Sequence, residues 1–600
     1  MASGSSRGLR PPKSSLERWV VGLLGATVHG LAFRLVLLQD YFLWVLAPLV
    51  GLVGLGAFVW SLRGSSSRKG LALGFLGWAA AAAGGLYWMS VVSWLGYGLL
   101  VLYFALFGAI FGMVAVLLRA GSGSRSWTLL VPALWTAMEY ARARLFTGFP
   151  WMLSGSLFAD VPWATGVADL GGVYLVSFAC VLLACVLVCR KPARLVLRLA
   201  AVLGIVGACL GYGAFRSLTA ASESQVLRVA AIQPVIPFKV GPRKNVKRQL
   251  REQLAQSARI APGEVDLIIW SETMVPGELL GQVETVLAPL AREKKSHILA
   301  GGVLRPAGKS GKATGKAYNS AVLVSPAGKV IGRYDKRHLV PFGEYVPMQG
   351  KLPGTQRIFK LIGTVFTPGA ERQKLPEVGT VPLGVSICFE DIFPHIARDD
   401  ADRGARVLVN LTNDSWFGRT TSEARQHLAL SSLRAVETRR PLVRATNTGI
   451  SALIARDGTI TVPCCGGLWE KGVVRMNVPV APTSSTGYLI AGDLFAWLCA
   501  LGTVIGLVAG LIRRKLGPPP GPLPAPSSGS AAAEAGEEQL RQTPADAPDP
   551  EEYMPPPPPP LELPPEDEPG EQELQAQFLP ETPEEEQGPP EEEQPREPQA

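Results

Sequence analysis

The sequence holds no C-x-x-C pair and only five histidines in 600 residues. Neither a structural zinc site nor a CxxC redox motif is suggested, and no cluster of metal-ligand residue types is visible. Cys180, Cys185, Cys189, Cys209 and Cys499 lie in apolar segments and read as small buried hydrophobes. Cys464 and Cys465 are adjacent, in what reads as a turn, and suggest no role. Only Cys388 stands where an apolar strand ends beside acidic residues.

Acids are also scarce through most of the chain. Beyond about residue 517 the sequence turns to Pro, Glu, Gln and Ala, and this tail takes 21 of the 49 acidic residues with only two bases, Arg541 and Arg596. It has too little apolar surface to offset its ordering entropy and is expected to be disordered. The remainder carries 56 bases against 28 acids, a net of +28. Nucleic-acid binding would give such a balance, but a polytopic membrane protein with basic cytoplasmic loops fits it better.

Long apolar runs supply the reason. Stretches of about 20 residues, enough to cross a bilayer, fall near 19–37, 41–62, 70–90, 94–118, 127–145, 165–189, 195–217 and 488–512. His29 and Arg34 make the first the weakest, and a signal peptide is its alternative reading, although no small-residue cleavage site follows. Eight crossings put Arg7 to Arg18, Arg63 to Lys69, Arg119 and Arg125, Arg190 to Arg198, and Arg513 to Lys515 on one side. By the positive-inside rule that side is the cytoplasm. Residues 1–18 are then a cytoplasmic N-terminus, 19–217 a seven-span membrane domain, and the polar segment before the last span faces outward. Glu139, Arg142 and Arg144 sit at membrane depth just before Gly148-Phe149-Pro150-Trp151, either as an interfacial pair with an aromatic anchor or as a substrate-access element.

Between about 226 and 480 the apolar runs shorten. Strand-like segments at Val226–Gln233, Val265–Trp270, His297–Leu304, Ala317–Val324, Val381–Cys388 and Arg406–Leu411 alternate with helical patterns at Asn245–Ala261, Glu278–Lys294 and Ser422–Arg440, which argues for an α/β domain. Three strand ends carry reactive side chains, where open α/β sheets place their sites. Ile268-Ile269-Trp270-Ser271-Glu272 delivers a carboxylate. Tyr334 to Pro347 is a loop holding Lys336 and, eight residues on, Glu344. Val385-Ser386-Ile387-Cys388-Phe389-Glu390-Asp391 ends in a thiol at a turn, which helix amides or a nearby base could activate. Singly, each has a plainer explanation: a helix cap, an exposed lysine, a core cysteine. Together, in this order on one α/β pattern, they read as a site.

That Glu…Lys…Cys order resembles the nitrilase superfamily. The run Lys336 to Pro347, Ile387 to Glu390, Asn413-Asp414-Ser415-Trp416-Phe417-Gly418, Arg444-Ala445-Thr446-Asn447-Thr448-Gly449 and the Gly148–Trp151 motif look more particularly like the apolipoprotein N-acyltransferases, over roughly residues 15–515. Ser271 stands where that family usually has proline, and Phe389 where tyrosine is common. The resemblance implies an eight-span membrane domain with an outward αββα nitrilase-like sandwich, in a bacterial inner membrane with the sandwich in the periplasm.

It also implies a ping-pong acyl transfer. Glu272 would act as the base, Cys388 as the acyl-carrying nucleophile and Lys336 as the oxyanion partner, with backbone donors around Phe389. The donor would be a phospholipid, phosphatidylethanolamine by resemblance, and the acceptor the α-amine of a diacylglyceryl-cysteine on an apolipoprotein. No cofactor, metal or nucleic acid is implied, and a monomer is expected. Glu344 would orient Lys336 or hold the amine, unless it is only a salt-bridge partner. Glu390 is expected to give a supporting hydrogen bond. Asn413 and Trp416 would shape the pocket, Asn447 and Gly449 would serve a turn, and His338 and His427 would be structural. A membrane-tethered amidohydrolase and a non-catalytic scaffold are the alternatives.

Overall fold

The computed structural model describes residues 14–36, 46–188, 195–219, 225–237, 242–306, 315–347, 365–419 and 421–516. The acidic tail and most of the expected cytoplasmic N-terminus lie outside the described residues.

Helices Ser15–Ala32, Leu46–Ser61, Ser67–Gly85, Trp94–Arg144, Ala168–Leu187, Leu195–Leu218 and Leu494–Leu516 fall on the apolar stretches. Trp94–Arg144 covers two of them, and its contacts show it folded back on itself. Tyr103 Oη donates to Arg142 O at 2.9 Å across 39 positions, which a straight helix would separate by about 58 Å. Phe111 meets Trp135 at 5.0 Å between ring centroids, and Trp127 Nε1 donates to Ala115 O at 2.9 Å. The fourth and fifth stretches are therefore two antiparallel arms.

Eight crossings were expected, and four described helical segments are long and apolar enough to qualify: Trp94–Arg119, Ala168–Leu187, Val196–Leu218 and Leu494–Arg513. The others fall short for visible reasons. Leu46–Ser61 is apolar but short. Ser15–Ala32 carries Glu17, Arg18 and His29, Ser67–Gly85 opens on Arg68 and Lys69, and the second arm of the hairpin carries Glu139, Arg142 and Arg144. His29 is buried, its Nδ1 2.9 Å from Gly51 O.

Small residues set the helix spacing. A Cβ at Gly74 would lie 2.0 Å from Gly108 O, and one at Gly112 would lie 2.0 Å from Gly70 O, so two glycine pairs four apart let the backbones touch. On the outside, Val196, Leu197, Leu203, Leu498, Leu501 and Ile505 are all more than half exposed, an apolar surface suited to lipid.

The α/β domain contains strands β1 (Val226–Gln233), β2 (Leu267–Glu278), β3 (His297–Leu304), β4 (Tyr318–Val324), β5 (Val330–Asp335), β6 (Glu377–Val378), β7 (Val381–Ile387), β8 (Val407–Thr412), β9 (Leu442–Thr446), β10 (Ala452–Ile454), β11 (Ile460–Thr461) and β12 (Gly472–Pro479). They form two six-stranded sheets, ordered β12-β1-β2-β3-β4-β5 and β11-β10-β9-β8-β7-β6. The central strands are parallel, with Val229 opposite Leu267 in one sheet and Leu383 opposite Val407 in the other. Strand alternation supplies two apolar faces. Leu227, Val229, Ala231, Leu267 and Ile269 point into the core shared by the sheets. Ala230, Ile232, Ile268 and Trp270 point to the opposite face, against Leu250, Leu287 and Ala291 of the covering helices. The second sheet is covered by Pro394–Asp402 and Thr421–Thr438, through Ala397, Leu428 and Ala435. This is the expected αββα sandwich.

A fourth core has no boundary between the membrane helices and the sandwich. Ile392, Phe393 and Ile396, just after the Cys388 turn, and Ala429, Leu430 and Leu433 cluster with Trp88, Trp135, Trp151 and Tyr174. The loop bearing the thiol thus rests on the helical bundle.

Candidate active site

Each reactive residue stands where its strand breaks off. β2 loses its register with β3 after Trp270, and Thr273, next to Glu272, has φ 51°. β5 ends at Asp335, and Lys336 follows with its amide bonded to Asn319 O at 2.8 Å. β7 ends at Ile387, and Cys388 opens a 3-10 turn with φ 57°, a left-handed conformation that non-glycine residues rarely adopt. That turn is held on both sides: Asn410 Nδ2 donates to Cys388 O, and Ile387 N to Glu390 Oε2, both at 2.8 Å. Glu272 and Lys336 come from one sheet and Cys388 from the other, so the site lies where the sheets converge.

Lys336 Nζ is 3.0 Å from Glu344 Oε1 and 3.5 Å from Glu272 Oε1. Asn319 Nδ2 donates to the same two oxygens, at 2.8 Å each. The Cys388 thiol and the Glu272 carboxylate are close enough to shift one another's protonation. Glu272 and Lys336 are buried and Cys388 is half-buried. Burial works against the Lys336 charge, but Glu344 and Glu272 outweigh it and hold the ammonium above its ordinary pKa. Burial raises Glu272, against the pull of Lys336 and with the push of Glu344. Burial and the neighbouring Glu272 also push Cys388 well above the usual thiol value, so it rests as a thiol near a carboxylate of raised basicity.

Glu390 has no place in that constellation. Its carboxylate accepts from Arg337 N (2.7 Å), His338 N (2.9 Å), Ile387 N (2.8 Å) and Tyr334 Oη (2.8 Å), tying the Lys336 loop to the Cys388 turn. Phe389 lies with its ring centroid 5.4 Å from Lys336 Nζ and packs on Phe393. Glu344 Oε2 accepts from Val340 N at 2.8 Å, which fixes its loop as well as the lysine. Asn413 Oδ1 accepts from Asn447 Nδ2 at 2.9 Å, and Asn447 grips both the N–H and the C=O of Ile236, so this pair joins two loops. Trp416 is 49% exposed. Gly449 admits Asp414: a Cβ there would lie 1.8 Å from its Oδ2. His338 stacks on Phe393 at 4.0 Å, and burial followed by the nearby Lys336 charge lowers it to about 4.

Sequence reasoning missed Asn319 and Asn410. The available signal was a buried amide inside an otherwise apolar strand. It also missed a buried polar cluster behind the nucleophile turn. Arg444 donates to Asp391 (3.0 Å), Asn410 Oδ1 (3.2 Å) and Asp414 (3.3 Å). Its Nη2 also lies 2.8 Å from His427 Nδ1, and since a guanidinium only donates, the ring proton is on Nε2, 2.7 Å from Asp391. Asp414, Glu423 and His427 approach closely enough to suggest metal ligands. Arg444 already places its cation against Asp391 and Asp414, so these residues read as a buried ion-pair and hydrogen-bond network instead.

Of the charges Glu139, Arg142 and Arg144, the first two hold backbone. Arg142 donates to the carbonyls of Phe149, Trp151 and Met152, and Glu139 accepts from Ser154 N and Trp135 Nε1, both at 2.8 Å. Arg144 pairs with Asp493 at 2.5 Å. The loop so held presents Trp151 to the sandwich. Gln426 Oε1 accepts from Trp151 Nε1 (2.6 Å) and Trp88 Nε1 (3.2 Å), and Gln426 Nε2 donates to Gly85 O (2.9 Å).

Two family profiles match the chain: Carbon-nitrogen hydrolase over residues 228–488, and Apolipoprotein N-acyltransferase N-terminal domain over residues 30–186. An apolipoprotein N-acyltransferase of Geobacter metallireducens is 37% identical over 477 residues, covering 75% of this chain and 88% of that protein. One from Methylococcus capsulatus is 34% identical, over 69% of this chain and 78% of its own length. Among solved structures, a carbon-nitrogen hydrolase from Helicobacter pylori G27 is 14% identical with a TM-score of 0.32, covering 42% of this chain and 89% of that one.

Proposed function

The chain belongs to the apolipoprotein N-acyltransferase family, and we propose that it moves a fatty acyl group from a phospholipid to the free α-amine of a lipoprotein's N-terminal diacylglyceryl-cysteine through a thioester on Cys388. Family membership makes it an acyltransferase and sets aside the scaffold and the small-amide hydrolase. The observation that carries the mechanism is a lysine held between two buried carboxylates, one of them close to the thiol of a left-handed turn.

In the first step Cys388 Sγ attacks the ester carbonyl as Glu272 takes its proton. Lys336 faces the developing oxyanion, joined by backbone N–H groups around Phe389. Collapse expels the lysophospholipid alkoxide, which recovers the proton from Glu272. In the second step the amine attacks the thioester, an amide bond forms and the C–S bond breaks. Glu272 removes the amine proton and the thiol is restored. The chain's own charges suffice for both steps, and phosphatidylethanolamine is the donor we favour.

In this reading the eight apolar segments each cross a bacterial inner membrane and the sandwich faces the periplasm. Both substrates are bilayer lipids, and moving acyl chains into water would cost about 0.8 kcal/mol per CH₂. A site resting directly on the helical bundle avoids that cost. The enzyme is taken to act as a monomer.

Intact-mass analysis after incubation with phosphatidylethanolamine tests the proposal. A gain of one acyl chain is expected, absent in Cys388→Ala and discharged by a diacylglyceryl peptide with a free amine. No adduct, or discharge only to water, would overturn it.

A further inference from the structure

Cys464 and Cys465 take no part in this chemistry. They are the central residues of a turn closed by Gly466 N donating to Pro463 O at 2.9 Å. Cys465 has φ 66° and Cys464 is not left-handed, which makes this a type II turn. Its third position is ordinarily glycine or asparagine, because a larger side chain is strained there. Burial does not explain the exception, since Cys464 is exposed and Cys465 only partly covered.

The two sulfurs lie 3.4 Å apart. The fold fixes them in that relation from several directions. Ser451 N donates to Gly466 O at 2.8 Å, and Gln233 Nε2 donates to Gly467 O and Glu470 O at 2.7 and 2.9 Å. Cys465 Cβ lies against Gly472, where an added Cβ would come within 2.6 Å.

We propose that Cys464 and Cys465 form a vicinal dithiol–disulfide site that reacts with low-molecular-weight disulfides. The thiolate of Cys464 attacks one sulfur of R–S–S–R, forming a mixed disulfide and releasing R–SH once the leaving thiolate is protonated. Cys465 then gives up its proton and attacks the Cys464 sulfur, the S–S bond to R breaks, and a second R–SH leaves. The two protein thiols are oxidised to an eight-membered ring and the external disulfide is reduced to two thiols. The fixed approach makes the second attack intramolecular, so the mixed disulfide does not accumulate. The turn runs on into Trp469, whose Nε1 donates to Gly418 O at 3.1 Å, so ring closure acts one residue contact away from the Asn413–Gly418 segment. An outward, oxidising location rests on the topology proposed above, whereas the exchange chemistry does not depend on it.

The test uses the full chain in detergent, treated with oxidised glutathione, quenched in acid, alkylated with N-ethylmaleimide and digested with trypsin. The peptide Asp457–Lys471 is expected to be lighter by two hydrogens than its reduced form, with neither maleimide nor glutathione, and dithiothreitol should restore two alkylatable thiols. Cys465→Ser should instead retain glutathione on Cys464. A wild-type peptide that takes two maleimides after oxidation, keeps glutathione, or appears cross-linked between chains would overturn the proposal.

Discussion

Glu272 and Glu344 accept from one and the same nitrogen: Asn319 Nδ2 reaches an oxygen of each at 2.8 Å, on the side where Lys336 reaches both as well. Two buried carboxylates thereby share two donors, and each is fixed by what the other leaves available.

Asn319→Ala removes both amide bonds from charged acceptors, each worth roughly 1.5–3 kcal/mol. Thioester formation on Cys388, followed by stopped mass analysis, should slow by about 10- to 100-fold. Asn319→Asp should be slower still, because it adds a third carboxylate around one lysine.

Glu344 should tune the pH dependence. Acylation needs Glu272 ionised, so the rate falls as pH drops through its raised pKa. Burial and the Glu344 charge both raise that pKa. Glu344→Gln removes the second cause, and the acidic limb of a single-turnover pH profile should move to lower pH. The same change takes a carboxylate from Lys336, so the basic limb should move down too. An unmoved acidic limb would remove Glu272 from its role as base.

A stability effect is expected at Glu423. Burial and the nearby Asp414 charge raise it to about 7, above its ordinary 4.5. The folded chain therefore holds a proton that the unfolded chain loses above about pH 4.5, and stability declines as pH rises from there towards 7. Glu423→Gln should raise the Tm at pH 8 by a few degrees and make little difference at pH 4.5, as read by thermal unfolding in detergent.

Gln426→Leu should damage assembly more than chemistry. It strands the indole N–H groups of Trp88 and Trp151 and the Gly85 carbonyl. Buried polar groups left unpaired cost about 1–3 kcal/mol each. A lower Tm and poorer recovery of folded protein are expected, with Gln426→Glu partly restoring both.

Much of the sandwich was legible because its central strands are apolar on both faces. β1, β3 and β4 fall within a residue of their expected bounds, and Glu272, Lys336 and Cys388 were visible at strand ends. β5 escaped because it is an exposed edge with little pattern. β9 escaped because Arg444 interrupts it. That arginine is fully buried, but only through acids supplied by other segments, which no local window contains. Asn319 was unreadable for a related reason: its value lies in carboxylates 47 and 25 positions away. The hairpin in Trp94–Arg144 was expected as two stretches, and only side-chain contacts between its arms distinguish it from one long rod.

The core that runs unbroken from the bundle into the sandwich makes the catalytic half a poor candidate for excision. A fragment cut near residues 226 and 480 would uncover Phe393, Ile396, Leu430 and Leu433 at once, and would deprive Arg439 of Asp169 and Glu437 of the Val173 amide. Evolution could not have borrowed such a piece as a ready-made module without rebuilding that face. Inhibitor screens built on a soluble surrogate would meet an aggregate, or a turn at Cys388 that has lost its footing.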